Sequence, residues 1–336
     1  MSVIDLRSDT VTRPGSAIRR VMAEAEVGDD VFRDDPTVDR LEDLTAGMLG
    51  KEAGLFVASG TQSNLCALLT HCGRGDEYIV GQQAHTYIYE GGGAAALGGI
   101  QPQPIEQEKD GSLDLEKVER LIKPDDYHYA RTRLLCLENT TNGRVLSEAY
   151  GRQAHELASR FGLSLHLDGA RLFNAAVQMG QPASALAAPF DTVSVCLSKG
   201  LGAPVGSVLV GTAEFIAGAR RWRKVVGGGM RQAGLLAAGG IYVLENHVER
   251  LADDHANARM LAEGLRALAG CRIDMNLVQT NMVYVGLPEH KASEIPQQLK
   301  ERGILVCPGN PMRLVTHLDV SGEDIQKTLS AFEEIL

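Results

Sequence analysis

From about residue 51 onwards, apolar runs typical of β-strands alternate with stretches whose apolar residues recur at helical spacing. Strands are predicted at 54–58, 77–80, 133–137, 163–167, 193–197 and 205–210, and helices at 62–72, 85–98, 114–122 and 154–161. This alternation predicts an α/β fold with a largely parallel sheet. Ligands of such sheets bind beyond the carboxyl ends of the strands, so the residues that follow each strand are the candidates for chemistry.

The two ends of the chain have a different character. Residues 4–14 are polar and extended, and they are too few to form a core, so we expect an arm that lies across another part of the protein. After the glycine-rich stretch 227–240 a long helical region begins, and the chain ends in a helix that Ser321 and Asp324 cap. We therefore predict three parts: an arm and first helix at 1–45 that pack on the large domain, a large domain at 46–250, and a small C-terminal domain at 251–336.

Composition narrows the class of protein. A chain of 336 residues, with 44% hydrophobic and 23% charged residues, has the size and character of about two soluble domains. Its net charge of −10 argues against binding to nucleic acid or to an anionic membrane. Six scattered cysteines without a Cys-x-x-Cys pair indicate reduced thiols in a cytoplasmic protein. We expect neither secretion nor a membrane span, because no apolar run approaches the roughly 18 residues that a span needs.

The predicted strand at 193–197 leads to a lysine among glycines. Lys199 is followed by Gly200, Gly202 and Gly206, which let the backbone come close to a bound group. A lysine at a buried strand end suits Schiff-base chemistry if desolvation or a neighbouring cation lowers its pKa from about 10.4. The alternative is an ordinary surface lysine in a glycine-rich turn.

Two further strand ends carry groups that complement such a lysine. Gly60 and Thr61 open a helix directly after a strand, so free N–H groups and the helix dipole favour a phosphate there, although a plain N-terminal cap is the alternative. Asp168 ends the strand at 163–167 and could keep a pyridine nitrogen protonated, or it could simply form a turn. Arg171 offers the planar fork that suits a carboxylate, or forms a surface ion pair.

Several other polar residues are candidates for proton transfer or anion binding. His85, His128 and Glu90 could each move a proton near neutral pH. Arg231, beside the glycines at 227–229, could contact a phosphate, and Arg313 could meet an anionic substrate across a cleft between the domains. The four aspartates between residues 29 and 35 are explained by turn formation and helix capping, and no metal is predicted.

Five segments taken together closely resemble the low-specificity L-threonine aldolases over essentially the whole chain. They are Arg-Ser-Asp-Thr-Val-Thr-Arg-Pro (7–14), Ser-Gly-Thr-Gln (59–62), Asp-Gly-Ala-Arg (168–171), Ser-Lys-Gly-Leu-Gly (198–202) and Gly-Gly-Gly-Met-Arg-Gln (227–232). The resemblance implies a fold-type I enzyme, transferase-like and dependent on pyridoxal 5'-phosphate (PLP). It also implies a large domain with a mostly parallel sheet and a smaller C-terminal α+β domain.

The same resemblance implies roles for nine residues, and His128 is added to them as a candidate for proton transfer on its own chemistry. The predicted catalytic residues are Lys199, His85, His128 and Asp168; the predicted cofactor-binding residues are Gly60, Thr61, His85, Asp168, Arg171, Lys199 and Arg231; and the predicted substrate-binding residues are Ser8, His128, Arg171 and Arg313. Within these sets, Lys199 forms the Schiff base and His85 stacks on the ring. Arg231 reaches the phosphate of a neighbouring subunit, because the family assembles its sites at dimer interfaces, usually within tetramers.

The function that the resemblance implies is the reversible retro-aldol cleavage of L-threonine or L-allo-threonine to glycine and acetaldehyde. The general base stays open among His85, His128, Glu90 and a water molecule, and so does the choice between the two substrates. A β-eliminating lyase or an aminotransferase on the same fold is the alternative enzyme. A non-catalytic regulatory module is disfavoured by the net charge of −10 and by the presence of the lysine and both arginines.

Overall fold

The structure is a computed structural model that describes residues 3–336. Within this range the chain forms eleven strands and fourteen α-helices. The strands are β1 (Ile4–Asp5), β2 (Ala53–Val57), β3 (Asp76–Gly81), β4 (Gln101–Ile105), β5 (Arg131–Glu138), β6 (Ser164–Asp168), β7 (Thr192–Cys196), β8 (Ser207–Gly211), β9 (Met282–Val285), β10 (Ile304–Leu305) and β11 (Met312–Val315). The helices are α1 (Ser16–Ala23), α2 (Pro36–Leu49), α3 (Gly60–His71), α4 (His85–Ile88), α5 (Gly93–Gly98), α6 (Leu115–Leu121), α7 (Glu148–Arg160), α8 (Leu172–Met179), α9 (Ala183–Ala187), α10 (Ala213–Val225), α11 (Gly234–Asn246), α12 (Leu251–Ala267), α13 (Ile295–Glu301) and α14 (Gly322–Ile335).

Seven strands form one sheet in the order β2-β8-β7-β6-β5-β3-β4. The five strands from β7 to β4 are parallel to their neighbours, whereas β8 is antiparallel to both β2 and β7. Six of the seven strands therefore point the same way and bring their carboxyl ends to one edge of the sheet. The predicted α/β fold with a mostly parallel sheet is confirmed.

The sequence pattern did not predict the edge strand β4, because it contains two prolines. Ile105 accepts a hydrogen bond from the N–H of Gln82 at 2.7 Å, so the odd-numbered residues of β4 direct their backbone groups towards β3. The nitrogens of Pro102 and Pro104 consequently face the open edge of the sheet, where no donor is needed. Proline is tolerated in a sheet at such a position.

The sheet is covered on both faces. Leu134 and Leu135 of β5 are fully buried, yet they belong to different apolar clusters, because successive side chains of a strand point to opposite faces. A separate apolar core lies in the C-terminal part of the chain, where β9 and β11 pair antiparallel and helices α12, α13 and α14 cover them. This second core is the basis for regarding residues 251–336 as a smaller α+β domain.

The start of the N-terminal arm lies with the small domain, which differs from the expectation that residues 1–45 pack on the large one. Strand β1 pairs parallel with β10, and Ile4 and Leu6 are buried in the second core. They alternate with the polar residues Asp5 and Arg7, so the strand buries a single face. Helices α1 and α2 pack against α11.

Helix boundaries follow their capping residues. Asp35 accepts hydrogen bonds from the N–H groups of Thr37 and Val38 at the start of α2, and the predicted capping box of Ser321 and Asp324 opens α14. No helix within residues 3–336 combines the length and the apolar character needed to cross a membrane.

Replacing Leu6 with alanine is expected to destabilise the protein by about 2–4 kcal/mol, because its fully buried side chain fills the second core. Urea unfolding monitored by fluorescence measures the change. Val3→Ala, at a position that is 60% exposed, is the matched control and should cost little. Equal stabilities of the two variants would show that the arm does not belong to this core.

Candidate active site

A cleft of about 530 Å³ opens at the carboxyl edge of the sheet, between the large domain, the arm and the small domain. It is lined by Ser8, Thr10, Gln83, His85, Tyr89, Glu138, Asn142, Arg171, Lys199, Met282, Cys307, Pro308, Pro311 and Arg313. Five residues of the predicted site are among them, and the first and last of these, Ser8 and Arg313, are about three hundred positions apart in the sequence. The fold therefore assembles groups that the sequence pattern could only suggest separately.

Lys199 lies in the turn that follows β7. The turn is held from two sides, because the Lys199 carbonyl accepts hydrogen bonds from the Thr12 hydroxyl at 3.2 Å and from the Gly202 N–H at 2.9 Å. At Gly202, where φ is +87°, an added Cβ would lie 2.4 Å from the side chain of Leu318, so only glycine fits. The lysine is thus presented to the cleft by a tightly packed turn that the arm also contacts.

Asp168 ends β6 and is almost completely buried. Its carboxylate accepts hydrogen bonds from the Asn64 amide at 2.8 Å and from the Ala170 N–H at 3.1 Å. The Asn64 amide also donates to Glu90, again at 2.8 Å. Burial raises the pKa of Glu90, and the charge of Asp168 adds to the effect.

His85 opens α4 directly after β3. Its Nδ1 lies 2.8 Å from Glu90, and this hydrogen bond raises the pKa of His85. Its backbone N–H donates to Glu138 at 2.8 Å. Burial, followed by the charge of Asp168, raises the pKa of Glu138 to about 7. With the Nδ1 proton held by Glu90, the Nε2 atom of a neutral His85 carries a free lone pair.

His85, Glu90 and Asp168 each place one potential metal-ligand atom within 4.8 Å of the others. The donors around them do not suit a cation. The amide hydrogens of Asn64 point at both carboxylates, so positive N–H groups occupy the space in which a metal would be coordinated. The arrangement is a hydrogen-bonded cluster.

Cationic and hydroxyl groups gather on the arm side of the cleft. Arg171 donates two hydrogen bonds to Asp9, from Nε at 2.7 Å and from Nη2 at 2.6 Å. Arg313 of β11 donates to the Arg7 carbonyl at 3.1 Å. The Ser8 hydroxyl accepts hydrogen bonds from the N–H and the hydroxyl of Thr10.

The start of α3 lies against the end of β7. Ser59 caps the helix through a hydrogen bond from the Gln62 N–H at 3.2 Å, while the N–H groups of the first turn have no acceptor within the helix. At Gly60 an added Cβ would lie 2.8 Å from the Cys196 sulfur, so the absence of a side chain allows this approach. Thr61 lines a separate hollow of about 600 Å³, which Trp222 also lines.

Comparison with known proteins identifies the group to which this architecture belongs. Residues 5–287 match the family model described as beta-eliminating lyase. The chain is 53% identical to the low specificity L-threonine aldolase of Escherichia coli K12, in a match that covers 99% of this chain and 99% of the relative. It is 46% identical to low-specificity L-threonine aldolase 1 of Arabidopsis thaliana, in a match that covers 100% of this chain and 97% of the relative. A solved structure of Leishmania major threonine aldolase superposes with a TM-score of 0.85 at 21% identity, covering 98% of this chain and 99% of that one.

The chain belongs to the low-specificity L-threonine aldolase family. Enzymes of this family depend on PLP, and the fold is that of fold-type I PLP enzymes. The resemblance noted in the sequence is thereby confirmed.

Two residues that were predicted for the site, His128 and Arg231, lie away from the cleft. His128 precedes β5, whereas the cleft lies at the other end of that strand. Because β5 has eight residues and is about 26 Å long, His128 lies roughly that far from the cleft. Its Nδ1 pairs with Asp126 at 2.6 Å and its side chain is 64% exposed. Arg231 pairs with Asp29 and is half exposed. Their roles stay predictions, and they would require a second copy of the chain.

Three groups in or beside the cleft were given no role in the sequence analysis: Glu138 lines the cleft, Asp9 bonds to Arg171, and Asn64 bonds to Asp168. Glu138 directly follows the predicted strand at 133–137 and pairs with Asp168, so its position at the end of β5 was a usable signal. Asn64 lies one helical turn after Gly60, on the face that turns towards the sheet. Asp9 had no such signal, because its partner Arg171 is 162 residues away.

Replacing Asp9 with asparagine is expected to reduce the sensitivity of the protein to acid. Burial alone would raise the pKa of Asp9, but the charge and hydrogen bonds of Arg171 outweigh it and lower the pKa to about 2. An unfolded aspartate has a pKa of about 3.9, so the pair stabilises the native state fully above about pH 4. This contribution of roughly 2 kcal/mol is lost as the pH falls from about 4 towards 2.

Urea midpoints measured between neutral and acid pH test this expectation. The wild-type midpoint should fall more steeply below about pH 4 than that of Asp9→Asn. Asp43→Asn, at an exposed position, is the control and should follow the wild type. Parallel curves for the wild type and Asp9→Asn would contradict the assignment of the ion pair.

Proposed function

We propose that this chain is a PLP-dependent L-threonine aldolase, which cleaves L-threonine or L-allo-threonine reversibly to glycine and acetaldehyde. The observation that carries the proposal is the cleft itself. It joins Lys199 and His85 to Arg171 and Arg313 in a chain that is 53% identical to a low specificity L-threonine aldolase. A lysine, a histidine and two arginines around one cavity are what an amino-acid substrate and an aldehyde cofactor require.

The residues present fit PLP. Lys199 would anchor the cofactor covalently, Asp168 would contact the ring nitrogen, and His85 would lie on the ring. The phosphate would lie at Gly60 and Thr61, where the N–H groups of the first helical turn and the helix dipole favour an anion. When bound, PLP supplies the electron sink that a carbanion at the substrate Cα needs.

The polar groups on the arm side would hold the substrate. Asp9 takes two of the five N–H donors of Arg171, so further donors are left for a carboxylate. Arg313 and the hydroxyl of Ser8 would complete the binding of this carboxylate. A carboxylate fixed at two or three points sets the orientation of the substrate, and this orientation determines which bond at Cα breaks.

We assign the removal of the hydroxyl proton to His85. Glu90 fixes the Nδ1 proton, so Nε2 is the atom that accepts. The hydrogen bond that Nδ1 donates to Glu90 also stabilises the imidazolium that forms, in the way a carboxylate supports a histidine base in other enzymes. A water molecule and His128 of a second copy are the competing bases.

We propose that the protein acts as a homotetramer, a dimer of dimers. Phe32 is 72% exposed and Val225 is 70% exposed, and such large apolar side chains on a surface favour contact with another chain. Arg231 lies within 5.7 Å of the Phe32 ring, where it could reach the phosphate site of a neighbouring copy. In a tetramer, His128 of one copy could also reach the cleft of a neighbouring copy.

The family model that matches is described as beta-eliminating lyase, which favours β-elimination as the second candidate reaction. Elimination from serine or cysteine releases an α-keto acid and ammonia, whereas aldol cleavage of threonine releases glycine and acetaldehyde. Product analysis therefore distinguishes the two reactions.

Incubation of the PLP-loaded protein with L-threonine and with L-allo-threonine is expected to yield glycine and acetaldehyde in equal amounts. Lys199→Ala is expected to lose this activity, because no other group can anchor the cofactor in the cleft. Serine and cysteine serve as the comparison substrates. Pyruvate and ammonia from them, without glycine from threonine, would overturn the proposal in favour of β-elimination.

Asp168→Asn is expected to lower kcat for threonine roughly 10²- to 10³-fold, because the charge opposite the ring nitrogen is lost while the side-chain shape is kept. Cofactor binding, followed by absorption, should persist in part. The control is Asp191→Asn, on the loop before β7 and outside the cleft. A variant with near-normal kcat would show that Asp168 is not the partner of the ring nitrogen.

A further inference from the structure

A line of polar side chains, all buried except the half-buried His71, runs between α3 and the sheet, from the end of the helix towards the cleft. Its members in order are His71, Thr192, His166, Asn64, and then the two carboxylates of Asp168 and Glu90. We propose that Asn64, oriented by this line, is a positioning residue that holds both carboxylates of the site. The inference rests on the proposed function, in which Asp168 contacts the cofactor and Glu90 holds His85.

The positions follow from the periodicity of the elements. Asn64 and His71 are seven residues apart on α3, two helical turns, so they share one face. His166 and Asp168 are two apart on β6 and share one face of the sheet, and Thr192 of β7 is paired with His166. The line of polar side chains therefore forms where this helix face meets the sheet, and we call it the polar seam.

Each polar group of the seam has a fixed role as donor or acceptor. The amide nitrogen of Asn64 lies 2.8 Å from both Glu90 and Asp168, and ionised carboxylates only accept, so the amide oxygen must face His166. His166 then donates from Nε2 to that oxygen at 3.2 Å. The amide cannot turn over without placing its oxygen against two carboxylates.

The rest of the seam continues the same order. The Nδ1 atom of His166 is left to accept from the Thr192 hydroxyl at 2.8 Å. That hydroxyl in turn accepts from Nε2 of His71, also at 2.8 Å. Burial lowers the pKa of His71 to about 4 and that of His166 to about 3, so both rings stay neutral at physiological pH and keep these tautomers.

Because one amide holds two carboxylates, it affects both the carboxylate that would contact the cofactor and the carboxylate that holds His85. Two like charges in a buried place favour protonation of one of them. The two amide hydrogens oppose this, since each bonds one carboxylate in its charged form. One amide hydrogen thereby holds the Asp168 carboxylate that would face the ring nitrogen, and the other holds the Glu90 carboxylate that accepts from His85. Asn64 thus links the group that serves the cofactor to the group that serves the base.

A packing role for Asn64 makes a different prediction from a positioning role. A residue that only fills space can be replaced by leucine of similar size without changing the protonation of Glu90. In a positioning role, the loss of the donor raises the pKa of Glu90, because its hydrogen bond opposes the effects of burial and of Asp168. Protonation of Glu90 is measured on the full chain without cofactor, so this readout does not depend on activity.

The test compares three variants by infrared titration of the protonated-carboxyl band, assigned to Glu90 by its loss in Glu90→Gln, and by titration with PLP. Asn64→Leu is expected to raise the midpoint of Glu90 by about one pH unit or more and to weaken PLP binding by about tenfold. Thr192→Val removes the hydroxyl of the seam but keeps the side-chain shape. It is expected to raise the midpoint of Glu90 and to weaken PLP binding, each by less than Asn64→Leu does. Thr45→Val is the matched control, because its buried hydroxyl bonds only to the Leu41 carbonyl of its own helix.

Both quantities unchanged in Asn64→Leu would overturn the proposal. If that variant does not fold, Thr192→Val decides, and behaviour equal to that of Thr45→Val would overturn it. Failure of the proposed function has a different signature, because the wild type would then not bind PLP while the titration of Glu90 would still respond to Asn64→Leu.

Discussion

The burial of the Asp168 carboxylate at the end of β6 is the constraint on which the geometry of the cleft depends. A charge removed from water must be compensated by donors, and here the donors are the Asn64 amide and the Ala170 N–H. The first of these requires α3 to lie close over the sheet, and Gly60 permits this approach at the start of the helix. The same packing brings the positive end of α3 next to the turn that carries Lys199.

The N-terminal arm connects this centre to the small domain. Leu6 is buried in the second core, Asp9 bonds both Arg171 of the large domain and Asn281 of the small one, and Thr12 contacts the Lys199 turn. The cleft is therefore built from three separate parts of the chain. A change in the position of the small domain would be transmitted to Arg171 through the arm.

The sequence predicted the features that depend on local patterns. The strands that lead to Asp168 and to Lys199 followed from apolar runs, and the helix start at Gly60 followed from its capping residues. β4 was not predicted because it contains two prolines, which are tolerated in a strand only where their nitrogens face the open edge of a sheet.

Features that depend on distant parts of the chain could not be predicted. The ion pair of Asp9 with Arg171 joins residues 162 positions apart, and the hydrogen bond of Asn64 with His166 joins residues 102 apart, so neither leaves a local signal. The position of His128 was available from the sequence, because the residue precedes the predicted strand at 133–137 and so lies at the amino end of β5, away from the carboxyl edge of the sheet.

The most direct test of the account is the visible absorption spectrum of the protein mixed with PLP, recorded before and after borohydride, with peptide mapping of the reduced product. We predict a yellow protein that borohydride bleaches, with the label on the peptide that contains Lys199. A protein that stays colourless, or a label on another lysine, would contradict the assignment of Lys199 and with it the proposed chemistry of the cleft.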